Sequence, residues 1–406
     1  MKSSLKYPIE FFLLAGLLIA LPLLEAPKNI FWILFVVTWL INRFRAHDFG
    51  GPWDTWDSVI ALWIVSGFLI APFAGLPNSE WGGANDILRY GSILWAIKRS
   101  GYGREVLYRL LWIVIISTLI ALAYGLWAFY VTHTRKALEL HSVGHVNHSA
   151  IYLAISFGAA LSLTLAYWRR LSWAMRLIAG AITLSLMVAI LLTVSRAAGA
   201  MSFVLALILG IAWLRRSRLP LLILLVVSAL LGTAAYVNQI EVVRKQEGNV
   251  KAGNVLAHRD VIWNTSLVAW KKYPLFGVGM HNYNQISMDK VKGWVEESGK
   301  PYDPSAYGGI SHAHSLYFNT LAERGLVGSA VLLAVLATWL YWLIRHYPRR
   351  EADDVEWALW GASLSAWLIT TGIGFANTTL HHEHAILSVV LLGLWLSYLR
   401  PARPRS

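Results

Sequence analysis

The chain has 406 residues, of which 57% are hydrophobic and only 14% charged. Soluble globular proteins carry about 25% charged residues, so this balance excludes a soluble domain and indicates an integral membrane protein. The net charge of +13 would raise nucleic acid as a partner in a soluble protein, but most of the excess lies in short loops between apolar runs, where membrane proteins keep lysine and arginine. Cysteine is absent, which excludes disulfide and thiolate chemistry.

Apolar runs lie near residues 8–25, 28–43, 57–75, 84–98, 105–132, 149–168, 173–194, 198–214, 219–236, 314–344, 356–376 and 385–399. Most suit the ~17–25 residues of a membrane-crossing helix, and no alternation of the kind found in β-barrels is visible. The expected fold is therefore all-α, with about twelve transmembrane helices. The first run follows Lys2 and Lys6, as in a signal peptide. It ends in Glu25-Ala26-Pro27 without a small-residue cleavage site and is expected to be retained. The fourth carries Asp86 and Arg89. The fifth and tenth exceed what a bilayer needs and are expected to tilt or project.

The loops give an orientation. Arg43 and Arg45, Lys98 to Arg104, Arg169 to Arg176, Arg215 to Arg218, Arg345 to Arg350, and Arg400 to Arg405 fall on one side. That side is expected to be cytoplasmic and to hold both termini. The other side receives 77–85, 132–148, a long loop of about 237–313, and 377–384. The expected division is 1–236 with helices one to nine, 237–313 as a periplasmic loop with interfacial helices, and 314–406 with helices ten to twelve and a basic tail. No repeat of fixed period is present.

Unusual chemistry concentrates between His258 and Gly325. Arg259 opens an expected helix, RDVIWNTSLVAWKK, whose spacing puts Arg259, Trp263, Leu267 and Trp270 on one face. That face could anchor at the headgroups or hold the guanidinium over a lipid-facing cavity, where its planar fork suits phosphate. The Gly277-Val278-Gly279 step in YPLFGVGMHNYN reads as a tight turn that sets the loop's path, with His281 just after it. Residues 294–310 are polar and aromatic, as in a solvated loop, a flap or a sugar platform. His312 and His314 stand at the mouth of the tenth run, and histidine there can act as a general base. Arg196, after Ser195 in LLTVSRAAGA, lies on the outer side against the charge bias. Small residues follow it and leave room for a bulky ligand, although a membrane-edge arginine can also snorkel. Arg135, in the outer loop 132–148, is a further candidate for binding substrate. His381, His382 and His384 with Glu383 raise a metal site as an option, but the spacing fits no standard zinc pattern. No Asp-rich magnesium motif appears in the outer loops.

The run from Arg259 through FGVGMHNY to HAHSLYFNTLAERGLVG, with VSRAAGA before it, resembles the bacterial O-antigen ligases and, more broadly, the O-antigen polymerases and O-linked oligosaccharyltransferases. The likeness spans roughly residues 140–330 at motif level. It implies a multi-span (GT-C-like) glycosyltransferase of the bacterial inner membrane. Such an enzyme moves a glycan from undecaprenyl diphosphate to a sugar hydroxyl of lipid A–core on the periplasmic face, with membrane lipids around it and no nucleic acid as partner. It also implies that Arg196 and Arg259 contact the diphosphate and that His314 is the essential histidine. The family pattern has one histidine here and this chain has His312 as well. Trp263, His281, His312 and Arg135 are expected to line the substrate site, with no cofactor and no metal. A polymerase or oligosaccharyltransferase would use the same groups on another acceptor. A lipid-linked glycan transporter would instead show paired repeats and mid-span charges.

Overall fold

The computed structural model describes residues 7–135, 137–214, 258–309 and 311–400. Among the described residues the chain is helical, with no strand. In chain order the helices are α1 (Pro8–Leu23), α2 (Glu25–Ala46), α3 (Thr55–Ile70), α4 (Glu80–Arg99), α5 (Arg104–Tyr130), α6 (Val146–Tyr167) and α7 (Trp173–Leu192). They continue with α8 (Arg196–Trp213), α9 (Arg259–Lys272), α10 (Met288–Glu297), α11 (Leu316–Arg345), α12 (Asp354–Ile373) and α13 (His382–Leu399).

Seven of these helices are long and apolar enough to cross a membrane: α3 with its short extension to Phe73, α5, α6, α7, α8, α11 and α13. Each expected span falls on a helix except 219–236, which lies outside the described residues together with 237–257. α1 is apolar but shorter. α2, α4 and α12 form where spans were expected but stay outside the seven, in keeping with the charges they carry at their ends. α5 and α11 are the long helices anticipated, with 27 and 30 residues.

α6 is the hub of the bundle. Nearly every side chain from Ser149 to Ala166 is buried, and the helix packs on α12, α7, α8 and α13. Helices in an apolar solvent gain by close van der Waals approach, which small residues permit. A Cβ on Gly158 would lie 2.3 Å from Ser365 Cβ of α12, and one on Gly361 of α12 would lie 2.5 Å from Ser162 Oγ of α6. α7 lies at the rim, with Leu177, Ile178 and Leu184 exposed.

The end of the bundle away from the site is fixed by charge. Asp57 and Asp54 of the α3 N-terminus bind Lys98 and Arg99 in the last turn of α4, with Arg99 Nη2 at 2.6 Å from Asp57, and Arg400 reaches Asp54 at 3.0 Å. Asp54 also forms a capping box with Asp57, which satisfies N–H groups that a helix start leaves open.

At the opposite end, residues 258–309 and 311–315 form a small layer with its own apolar core of Ile262, Ala269, Val278, Tyr283, Ile286, Val291 and Val295, closed by Ala313 and Ala322. α9 buries Ile262, Thr265, Ser266 and Ala269. The face of Arg259, Trp263, Leu267 and Trp270 is only half-buried. Residues expected as a solvated loop after 294 are partly the end of α10, and their continuation is stapled to α9. Asn264 donates to the Ala306 carbonyl at 3.0 Å and Thr265 to the Gly308 carbonyl at 3.0 Å, while Tyr302 and Tyr307 stack at 5.6 Å.

A kink in α11 joins this layer to the bundle. Gly325 has φ 58° and ψ −157°, a region closed to residues with a side chain. The kink frees helix hydrogen-bonding groups, and the segment 274–279 takes them up. Leu326 and Val327 donate to the carbonyls of Pro274 and Leu275 at 2.8 and 3.1 Å, and Val278 and Gly279 donate to those of Ala322 and Glu323 at 2.8 and 3.0 Å. The carbonyls of Gly277 and Val278 then accept from Gly75 and Leu76 before α4. The glycine step and the Glu323-Arg324-Gly325 run are thus two halves of one backbone junction. Glu323 adds to it by accepting from the Tyr283 N–H at 3.2 Å and from Asn319 at 2.9 Å.

Candidate active site

The helices that meet at this layer begin there with basic residues. Arg196 is the first residue of α8 and Arg259 the first of α9. His145 and His148 stand at the start of α6, His312 and His314 just before α11, and His381, His382 and His384 at the start of α13. A helix start exposes unpaired N–H groups and the positive end of its dipole, a ready site for anions. Placing cations at that end is unfavourable without an anion to bind. Several of these turns use left-handed backbone at non-glycine residues: Val194, His258, His281, His314 and His382 all have φ between 47° and 62° or close to it, at 58°, 58°, 62°, 47° and 50°. Such positions cost energy and tend to cluster at functional sites.

The turn that carries His312 and His314 is held from three sides. Ser315 caps α11 by accepting from Phe318 N–H, and its hydroxyl donates to the Gly374 carbonyl at 3.2 Å. Leu316 N–H donates to the carbonyls of Gly374 and Asn377 at 2.7 and 3.0 Å. Ala313, between the two histidines, donates to Asn319 at 3.0 Å and accepts from the Trp263 indole N–H at 3.2 Å. The rings of His312 and His314 touch with centroids 4.3 Å apart, and Ser311 bonds to His312 Nδ1 at 3.0 Å.

Burial, together with the charges His312 and Arg259 bring, pushes His314 down to about 4, while the Asn377 side chain works in the opposite direction. His314 is therefore neutral at ordinary pH, as a base must be. Burial is the largest of these causes. Arg259 is also lowered, by burial first and then by the charge of Arg196. Arg196, Arg259 and His314 thus form a chain in which each group feels the next.

The histidines continue this chain. His148 meets His382 at 5.2 Å and His384 at 5.3 Å, and His381 meets His281 at 5.8 Å. His281 ends it, its pKa raised first by its 3.2 Å bond to Asp86. Among the described residues no group of three or more histidine, aspartate or glutamate side chains is arranged to hold a metal.

Two expected substrate residues are placed differently from the rest. Trp263 stacks on Phe318 at 4.9 Å and 14° and spends its N–H on Ala313. It therefore supports the histidine turn, and its N–H is not offered to a ligand. Arg135 is ion-paired with Glu139 at 2.8 Å in its own loop, and the group described here does not include it. The sequence reading missed His145, His148, Asp86 and Asn377. A His145-x-x-His148 pair at the start of an apolar run on the outer side was the available signal for the first two.

No curated protein matches the chain. Residues 181–333 match the family described as O-antigen ligase. The matched segment runs from within α7 into α11 and carries Arg196, Arg259, His281, His312, His314 and the Glu323-Arg324-Gly325 junction. Over residues 181–333, which carry this group of arginines and histidines, the chain is similar to the O-antigen ligase family.

Proposed function

We propose that the protein transfers O-antigen glycan from undecaprenyl diphosphate to a sugar hydroxyl of lipid A–core on the periplasmic face of the inner membrane. The observation that carries this reading is the run of Arg196, Arg259 and neutral His314 at converging helix N-termini.

Glycosyl transfer from a lipid diphosphate needs a charge partner for the leaving group, a base for the incoming hydroxyl and access from the bilayer. Arg196 and Arg259, each with a helix N-terminus behind it, supply the first, and such preorganised donors are worth about 10²–10³ each in rate. His314 supplies the second, worth about 10²–10⁴. In the step proposed, His314 takes the hydroxyl proton as the acceptor oxygen bonds to the anomeric carbon. The bond from that carbon to the diphosphate oxygen breaks, and its electron pair stays on the diphosphate beside the guanidinium groups. Attack opposite the leaving group inverts the anomeric centre. The arginines fill the place that a divalent cation takes in many diphosphate sites, so neither metal nor nucleotide is required in this scheme. Trp263 and Asn377 would hold the imidazole in place.

The test is a reconstituted assay with lipid-linked glycan and lipid A–core. His314→Ala should abolish transfer while the protein still inserts, and EDTA should leave the wild type active. Full activity in the alanine variant, or loss on chelation with rescue by a divalent cation, would overturn the scheme. Extension of lipid-linked repeat units in place of lipid A–core would identify a polymerase.

A further inference from the structure

A cavity of about 70 Å³ opens beside the histidine group, between α3, α4 and the start of α11. On the scale where one water needs ~10–15 Å³, it holds about five waters, or the polar edge of one sugar ring. Leu316, two residues from His314, lies in its wall, and so do His281 and His381.

The lining mixes apolar side chains with polar ones, and its charged groups are balanced. Asp86 faces both Arg89 at 2.5 Å and His281 at 3.2 Å. Buried Glu323 stands next to buried Arg324, which also donates to Ser66 at 3.0 Å. Neither an anion nor a cation is called for. Trp63 and Tyr90 form an aromatic wall, stacked at 6.3 Å and 30°. Thr378 also lines the cavity, and its hydroxyl is buried with no hydrogen-bond partner. Buried polar atoms without partners are few in native proteins and call for a water or a ligand group. Donors, acceptors and an aromatic face with no net charge suit a neutral polyhydroxylated ring.

The position decides which sugar. Leu316 in the cavity wall is two residues from His314, the base proposed for the incoming hydroxyl, whereas Arg196, proposed for the leaving diphosphate, is not among the lining residues. An inverting transfer brings the acceptor from the side away from the leaving group. We propose that this cavity seats the acceptor sugar of lipid A–core, with the Thr378 hydroxyl as one of its hydrogen-bond partners. This assignment rests on the transferase reading above.

The experiment uses the full chain in lipid nanodiscs, with Thr378→Val to remove the hydroxyl at constant volume and Thr378→Ser to keep it. Loss of one neutral hydrogen bond corresponds to about three- to tenfold in affinity. The valine variant should raise the acceptor KM by that factor, leave the donor KM within about twofold, and be reversed by serine. An unmoved acceptor KM, or a rise in the donor KM in its place, would overturn the proposal and leave a water-filled cavity. Saturation-transfer NMR with core oligosaccharide freed of lipid A separates the two readings. A signal in the wild type that the valine variant loses would uphold the sugar site even if no transfer to lipid A–core were detected. No signal in the wild type would overturn the site even if transfer were intact.

Discussion

A Cβ placed on Gly325 would lie 2.4 Å from the carbonyl of Leu275, so the kink of α11 and the segment that fills it can coexist only with glycine there. Gly325→Ala must also enter φ 58°, ψ −157°, where a side chain is strained by ~1–3 kcal/mol before any clash is counted. We expect a drop in thermal stability in detergent and loss of transfer. Gly293→Ala in α10, where a Cβ meets nothing within 4 Å, should be neutral or stabilising by about 0.5–1 kcal/mol. Equal behaviour of the two variants would show that the junction does not hold the site.

Much of the bundle was legible because an apolar run long enough to span a bilayer has few other uses. The same rule is weak for α2 and α4, some of whose buried charges pair with partners far along the chain. Glu10 meets Arg43 at 3.0 Å and Lys28 meets Glu383, and no local pattern announces either pair. The glycine step before His281 was readable as a turn, but its partner was not, since the partner is a helix carbonyl exposed by a kink some 45 residues later. Helical spacing correctly grouped Trp263 with Arg259, yet spacing cannot say which neighbour covers a face. The stripe of Ile262, Thr265, Ser266 and Ala269 is the one that is buried. His145 and His148 gain meaning only because α6 and α13 begin side by side.

The pH profile tests the base. His314 is pushed down to about 4, against about 6.5 when unperturbed. A histidine with a lowered folded value binds fewer protons folded than unfolded between those two values. It therefore subtracts no stability above pH ~6.5 and subtracts progressively more as pH falls towards 4. Transfer per enzyme should stay level from neutral pH to about 5 and fail below it, with an apparent midpoint well under 6.5. Arg259→Gln removes one of the charges that lower the imidazole and should raise its titration midpoint, read by histidine hydrogen–deuterium exchange so that lost activity does not hide it. A midpoint at the unperturbed value in the wild type would count against His314 as the base.

The two arginines should respond to lysine as poorly as to glutamine. Guanidinium offers a planar fork for two phosphate oxygens, whereas an ammonium is a point charge on a flexible stem. Arg196→Lys and Arg259→Lys are expected to lose about 10²–10³ in kcat and to weaken donor binding, with the acceptor KM little changed. Because the two charges face one leaving group, the double variant should fall by less than the product of the single losses. Activity near wild type in both lysine variants would reduce the arginines to headgroup anchors.

Trp263 was expected to touch substrate, but the structure turns it towards the histidine turn. Trp263 does two things to the histidine turn: its ring stacks on Phe318 and its N–H bonds to the Ala313 carbonyl. Trp263→Phe keeps an aromatic ring on Phe318 and loses the bond, worth about 0.5–1.5 kcal/mol, while Trp263→Ala loses both and leaves a void. If the residue positions His314, kcat should fall in the order phenylalanine then alanine, with both KM values nearly constant, because misplacing a reactive group by about 1 Å can cost ~10²-fold without changing what binds. A substrate-contacting role predicts the opposite split, with KM rising and kcat preserved. Steady-state kinetics on the two variants against separate donor and acceptor titrations distinguishes them.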